Sequence, residues 1–369
     1  MYSEKTSSKL IEIFLDLVRI NSTSGDEKPV AEYIRAFLEK LDLKVSEDNA
    51  NRDFNGNSGN IICKIGSGGT TALLAHMDTA RPTIGVKPVV KDNRIQSDGN
   101  TILGVDNRAG IAVILYAIEK LIKQKYKIPD LTLAFTICEE TSLAGSKNID
   151  LPSIDTAFVF DSALRPGNFI ARAYGAKRFK IEILGKASHS GISPEKGINS
   201  IQLTARALCN LKMGWIDKET TVNVGKIYGG ESINVVPANT VIEGEVRSVN
   251  PDNINSALID IENKFIDAAN AFGGKIDFFS EWDFHPYELN KESKIYNQIV
   301  NALEYVGLKA IPAISPGGSD ANILNSKGIS TVNIGIGAQN PHSNSEFILL
   351  SDLQATAEIA LKLISNIKD

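Results

Sequence analysis

Histidine is scarce in this chain: four among 369 residues. Cysteine is scarcer, with Cys63, Cys138 and Cys209 far apart and no C-x-x-C pair. Three scattered cysteines argue against a disulfide scaffold and fit a reducing compartment. No apolar run reaches the length of a membrane span, so a transmembrane helix is not expected. Neither sign of charge dominates: the net charge is −5, with the signs interspersed. Lacking a basic stripe, the chain has no expected nucleic-acid partner. Lacking a basic anchor, it has no expected membrane partner. The first residues include Glu4, Lys5, Lys9, Glu12 and Asp16, too many charges for the apolar core of a signal peptide. The expected location is the cytoplasm.

What is present is an ordinary globular composition, 43% hydrophobic and 22% charged. The length suggests about two or three domains. Leu10, Ile11, Phe14, Leu15, Leu17 and Val18 recur at helical spacing over 6–20. A second helix opens at Asp26 and Pro29. Strands are expected at Asn60–Gly66 and Thr71–His76, then a helix over 107–122. Leu131–Cys138 and Thr156–Phe160 are continuous apolar runs, the mark of strands buried on both faces. Residues 1 to about 170 therefore alternate strands and helices, as in an open α/β sheet.

The texture then changes. Arg178–Leu184, Thr221–Tyr228 and Thr240–Val249 alternate apolar and polar residues, with helices expected over 197–213 and 253–272 and a last strand near 275–283. That order suggests a small α+β domain with one open sheet face. The α/β texture returns after about 287, with helices over 291–306 and 351–367 and a strand over 331–336. The parse is a smaller domain, 174–286, inserted into a larger one made of 1–173 and 287–369.

Two of the four histidines stand in a recurring context. H-M-D-T at 76–79, L-G-V-D-N at 103–107, C-E-E-T at 138–141 and V-F-D-S at 159–162 each follow an expected strand or turn with a metal-binding side chain. A further strand leads to His342. His, Asp and Glu bind hard-to-borderline divalent cations through nitrogen and oxygen. His76 and Asp78, two apart, point to the same side, which suits a ligating imidazole oriented by a carboxylate. Asp106 taken alone reads as a helix N-cap; as a ligand it could offer one oxygen to each of two cations. Adjacent acids such as Glu139 and Glu140 are usually a solvated turn. Here they close a buried strand at its carboxyl end, where open α/β sheets place their sites. Because alternation would aim them at opposite faces, the chain must leave the strand there. Asp161 could be another cap, and His342 an exposed loop residue. His189, in A-S-H-S-G of the inserted domain, could be a group that closes over a site. His285 has no partner motif and reads as structural.

The order and context of these residues resemble the di-zinc exopeptidase family of peptidase T, carboxypeptidase G and acyl-amino-acid deacylases. The resemblance covers nearly the whole chain. It rests on H-M-D-T, G-V-D-N-R-A-G, E-E-T, F-D, A-S-H-S-G, N-V-V-P-A, G-E-V-R-S, G-G-S-D and the last histidine, in the family's order. G-V-D-N-R-A-G and S-P-G-G-S-D-A-N are most like the peptidase T-like tripeptidase branch. The resemblance implies a zinc-exopeptidase-like mixed sheet flanked by helices, with an inserted ferredoxin-like domain serving as lid and dimer contact. It implies two divalent ions, zinc first and manganese or cobalt as substitutes. His76, Asp106 and Asp161 would hold one; Asp106, Glu140 and His342 would hold the other. Glu139 would be the general base, and Asp78 would support His76. His189 would stabilise the oxyanion at the partner subunit's site. Asn234 and Arg247 would hold the substrate, and Gly318 would contact it through the backbone. A cis peptide is implied between Asp106 and Asn107. One departure stands out: where peptidase T reads R-G-G-T-D, this chain has Pro316-Gly317-Gly318-Ser319-Asp320. The arginine that would help bind a substrate carboxylate is absent.

The residues predict a two-metal hydrolase, and the resemblance implies cleavage of short peptides, with a tripeptide aminopeptidase as the first expectation. A deacylase acting on N-acyl amino acids would use the same centre with different pockets. A non-catalytic binding protein on this fold would be expected to lose a ligand or the base, and neither is lost here.

Overall fold

The computed structural model describes residues 7–52 and 55–366. It divides into two compact units. The first comprises residues up to 172, with 288–314 and 319 onward; the second comprises 173–287 with 315–318.

The first unit is built on a mixed sheet whose strands run in the order Val45–Glu47, Ile61–Ile65, Leu131–Thr136, Thr71–His76, Thr156–Ser162, Ser330–Gly335 and Asn168–Ala173. The four strands from Leu131–Thr136 to Ser330–Gly335 are mutually parallel, and their outer neighbours are antiparallel. Every residue of Thr71–His76 and Leu131–Thr136 is buried, as apolar runs sandwiched on both faces require. Helix Val105–Lys123 packs against Ser8–Val18 and Leu350–Asn366. The outermost positions of the first and last expected helices, 6 and 367, lie outside the described residues. Strand Leu131–Thr136 ends two residues before the expected Cys138, and Glu139 and Glu140 sit on a one-turn helix, Glu139–Ser142. Cys138 makes that exit with φ 52°. The strands without a clear signal in the sequence include Asn168–Ala173, Ile311–Ser315, and a small sheet of Val89–Lys91, Arg94–Gln96 and Phe347–Leu349. Ile311–Ser315 pairs on one side only and the strands of the small sheet have three residues each, so burial imposes little alternation on them.

The second unit follows the order strand, helix, strand, strand, helix, strand. Its sheet runs Thr220–Gly229, Asn239–Ser248, Gly175–Leu184, Lys275–Phe284, all antiparallel, with Gly214–Trp215 added at the outer edge of the first. This is the ferredoxin-like arrangement. Phe179, Ile181 and Ile183 alternate inward and pack with Leu203, Ile261 and Phe265 from helices Ser200–Cys209 and Pro251–Phe272. Burying each such side chain stabilises by roughly 1.5–3 kcal/mol. The longer helix is set off cleanly: the Asn250 side chain accepts the Asp252 N–H, Pro251 begins the helix, and Gly273 ends it at φ 72°.

Candidate metal centre

The candidate ligands of the first unit emerge at the carboxyl ends of the four parallel strands. His76 is the last residue of its strand, Asp161 lies near the end of the next, Glu140 follows Leu131–Thr136, and His342 follows Ser330–Gly335. Asp106 lies at the start of helix Val105–Lys123, at a kink where its backbone is not helical and the Asp106–Asn107 peptide is cis.

The two oxygens of Asp106 face different histidines. His76 Nε2 lies 3.0 Å from Asp106 Oδ1 and 3.1 Å from Asp161 Oδ1. His342 Nε2 lies 3.4 Å from Asp106 Oδ2 and 3.1 Å from Glu140 Oε1. Two trios of nitrogen and oxygen atoms therefore share one carboxylate. One ligand atom each from His76, Asp106 and Glu140 lies within 4.8 Å of the others. Glu140 Oε1 is buried and has no aligned hydrogen bond despite the nearby His342 nitrogen. Proximity without alignment is what two lone pairs aimed at a common third atom produce. The donor set, imidazole with carboxylate, suits a divalent cation.

The charges say the same. Burial pulls the His76 imidazole toward neutrality, but Asp106, Asp161 and Asp78 outweigh it and hold the ring's pKa well above the ordinary histidine value. The neighbouring Asp106 and Glu140 carboxylates push His342 up to about 10. Burial raises Asp106, yet the two histidines more than offset it and leave that carboxyl below its usual range. Burial pushes Glu140, Asp161 and Glu139 up, Glu139 most strongly, with the charge on Asp161 adding to the effect on Glu139. So many carboxylates in so little water call for positive charge among them.

Support around these atoms is dense. Asp78 is fully buried; it faces His76 Nδ1 at 3.2 Å and accepts the N–H groups of Glu139 and Glu140 at 3.0 and 3.1 Å, with the Ser24 hydroxyl at 2.6 Å. Asp78 thus holds the His76 ring, with its carboxylate and with its own carbonyl at 3.1 Å, and its carboxylate also sets the Glu139 turn. The amides of Asn107 and Asn333 donate to the two oxygens of Asp161. Arg108 is wholly buried and donates to the Met77 carbonyl at 2.6 Å, between His76 and Asp78. The sequence had not singled out Ser24, Arg108 or Asn333, and had named Asn107 only for the cis peptide. Arg108 and Asn107 adjoin Asp106 in G-V-D-N-R-A-G, the one signal that could have found them.

The remaining candidates lie in the second unit. His189 is exposed, and its Nδ1 accepts the Gly191 N–H at 3.2 Å. Its segment is zipped to that of Asn234: Ser190 N–H donates to the Asn234 carbonyl, and Val236 N–H to that of Ser188. The Asn234 side chain is exposed and accepts the Ser232 hydroxyl. Arg247 forms a two-pronged pair with Glu245 at 2.9 and 3.0 Å and reaches the Pro316 carbonyl at 3.4 Å. A side chain on Gly318 would meet the Phe284 ring at 2.6 Å, so only glycine fits there. His285 stacks on Trp282, with ring centres 4.3 Å apart.

Residues 172–272 match the peptidase dimerisation domain, and 83–177 match the M42 glutamyl aminopeptidases. An uncharacterised Bacillus subtilis protein, YqjE, is 32% identical over 99% of both chains. A tripeptidase from Staphylococcus aureus superposes with a TM-score of 0.88 at 30% identity, covering 96% of this chain and 97% of that one. The aminopeptidase PepT from Bacillus cereus does so with a TM-score of 0.86 at 30% identity, over 96% and 97%. Strand ends converging on a shared carboxylate, with a ferredoxin-like insertion, define a metallo-exopeptidase architecture, and the chain belongs to the M20 family of peptidases. Within that family its similarity runs to the peptidase T-like branch.

Proposed function

We propose that this peptidase is a tripeptide aminopeptidase working with two divalent cations. The observation that supports it most directly is the division of Asp106 between two histidines, one per oxygen. His76, Asp106 and Asp161 would hold one cation, and Asp106, Glu140 and His342 the other. Zinc suits this set, and manganese or cobalt fits the same donors. When bound, the cations would polarise the scissile carbonyl and lower the pKa of water toward about 7.

The chain's own residues do the rest. Asp78 fixes the His76 ring through Nδ1 and holds the turn that presents Glu139. Glu139, which neither histidine contacts among the described residues, accepts the proton of the attacking water on its carboxylate and returns it to the leaving amine. His189 donates to the oxyanion from the neighbouring subunit of a homodimer formed through the inserted domain, 174–286; the match to the peptidase dimerisation domain supports that assembly. Asn234 and Arg247 hold the peptide, and Gly318 meets it through its backbone. Three free cysteines support a cytoplasmic location. Among the described residues no helix is long and apolar enough to cross a membrane.

The tripeptide reading draws on the tripeptidase and PepT relatives. The test is turnover by metal-reconstituted protein on tripeptides, dipeptides and N-acyl amino acids, with products identified. Release of the N-terminal residue from free-amine tripeptides is expected. Cleavage confined to N-acylated substrates would replace the aminopeptidase with a deacylase.

A further inference from the structure

Glu346 is a buried carboxylate, 1% exposed, with no part in the chemistry above. Its Oε2 accepts the Gly104 N–H at 2.6 Å, and its Oε1 accepts the Asp106 N–H at 3.2 Å. Those donors belong to the turn that presents Asp106, where Gly104 stands at φ 78°. Glu346 itself belongs to the loop that presents His342. That loop is closed at its base by Gln339 and Phe347, whose backbones exchange hydrogen bonds of 2.9 and 3.1 Å. His342 stands within it at φ 62°, in the left-handed region. Other ties of this loop, from Arg81 and the Asn344 side chain, lie at the exposed surface, and the Ser97 hydroxyl donates to the Asn344 carbonyl at 3.3 Å in a part-buried contact. The Glu346 tie to the Gly104 N–H is fully buried.

We propose that Glu346 is a positioning residue of the metal centre: its carboxylate joins the His342 loop to the Asp106 turn and so sets the spacing of two donors that face one cation. Both oxygens are needed, because each meets a different N–H. Glutamine would offer one acceptor and set an amide N–H₂ against the other donor. Aspartate keeps both acceptors on a shorter stem.

The inference rests on the metal reading, and the test separates the two. Metal-free wild type, E346Q and E346D are titrated with Mn²⁺ and Zn²⁺ salts alone by calorimetry. Outer contacts of this kind are worth about 10–100-fold in metal affinity. Wild type should bind two cations, and E346Q should lose about that factor at one of them. E346D should recover most of the loss. In the loaded enzymes, kcat of E346Q should fall about tenfold or more with KM changed less than about twofold, because the substrate contacts are untouched. Hydrogen exchange in metal-free wild type should show the Gly104 and Asp106 amides protected, a readout that holds even if a variant misfolds. Wild type that binds no cation overturns the metal reading and this inference together. Two cations bound equally well by wild type and E346Q, or amides of 104 and 106 that exchange as freely as an exposed loop, overturn the clamp alone.

Discussion

The two units hold most of their candidate residues in opposite ways, although His342 of the first is exposed. In the first, His76, Asp78 and Asp161 are buried, and each polar atom is set by another: Asp78 by Ser24 and two backbone N–H groups, Asp161 by Asn107 and Asn333. In the second, His189 and Asn234 are exposed, and what fixes them is backbone pairing between their two segments. Like charges packed out of water are costly unless each is oriented and compensated, so the first set must be built in advance. Groups that meet a substrate gain from staying open to it. The first region should therefore respond to substitution through metal and proton, and the second through turnover alone.

The largest expected effect is on the first region as a whole. Dialysis against a strong chelator should reduce peptidase activity to background, and Zn²⁺, Mn²⁺ or Co²⁺ should restore it. It should also lower the melting temperature, because cations bound only by the native state stabilise it by mass action. Full activity in protein shown to be metal-free would end the comparison.

Glu139→Gln comes next. Turnover should fall by roughly 10²–10⁴-fold while two cations remain bound, since only the proton carrier is lost. Near-normal turnover with verified metal would remove Glu139 from the chemistry.

His189→Ala probes the second region. A lost oxyanion donor costs roughly 10²–10³-fold in kcat, and metal affinity should not change. Subunit exchange between His189→Ala and Glu139→Gln proteins should restore part of the activity if His189 acts across the dimer. Mixed dimers, verified as such, that stay inactive would place its action within its own subunit.

Asp78→Asn should have the smallest effect of the four on turnover and the sharpest one on metal. It keeps the shape but weakens both the His76 contact and the Glu139 turn, so affinity should drop about 10–100-fold. Unchanged affinity measured by chelator competition would show that the backbone alone sets the His76 ring.

Much of this was legible in the sequence because each candidate ligand sits where a period stops. Thr71–His76 and Leu131–Thr136 are mostly apolar and buried throughout, and a charged residue at or just past such a run has few places to go but the strand's end. Alternation in Arg178–Leu184 and its neighbours likewise announced a sheet with one covered face. Glu346 was not legible, since an acid in a polar loop looks like any solvated one; its burial arises only when the 337–346 loop folds onto the Gly104 turn. Arg108 was hidden for the opposite reason, a full charge inside an apolar helix that pattern reading assigns to solvent. Edge strands such as Ile311–Ser315 were missed because pairing on one side leaves little trace in composition.

By itself the sequence determined which side chains could serve and in what order they come, because strand and helix periods are local properties of the chain. Tertiary structure decided that Asp106 turns one oxygen to His76 and the other to His342, residues 30 and 236 positions away. No local pattern can encode that division. It follows from parallel strands that all end on one side of the sheet, and from buried carboxylates that must find donors there to exist out of water.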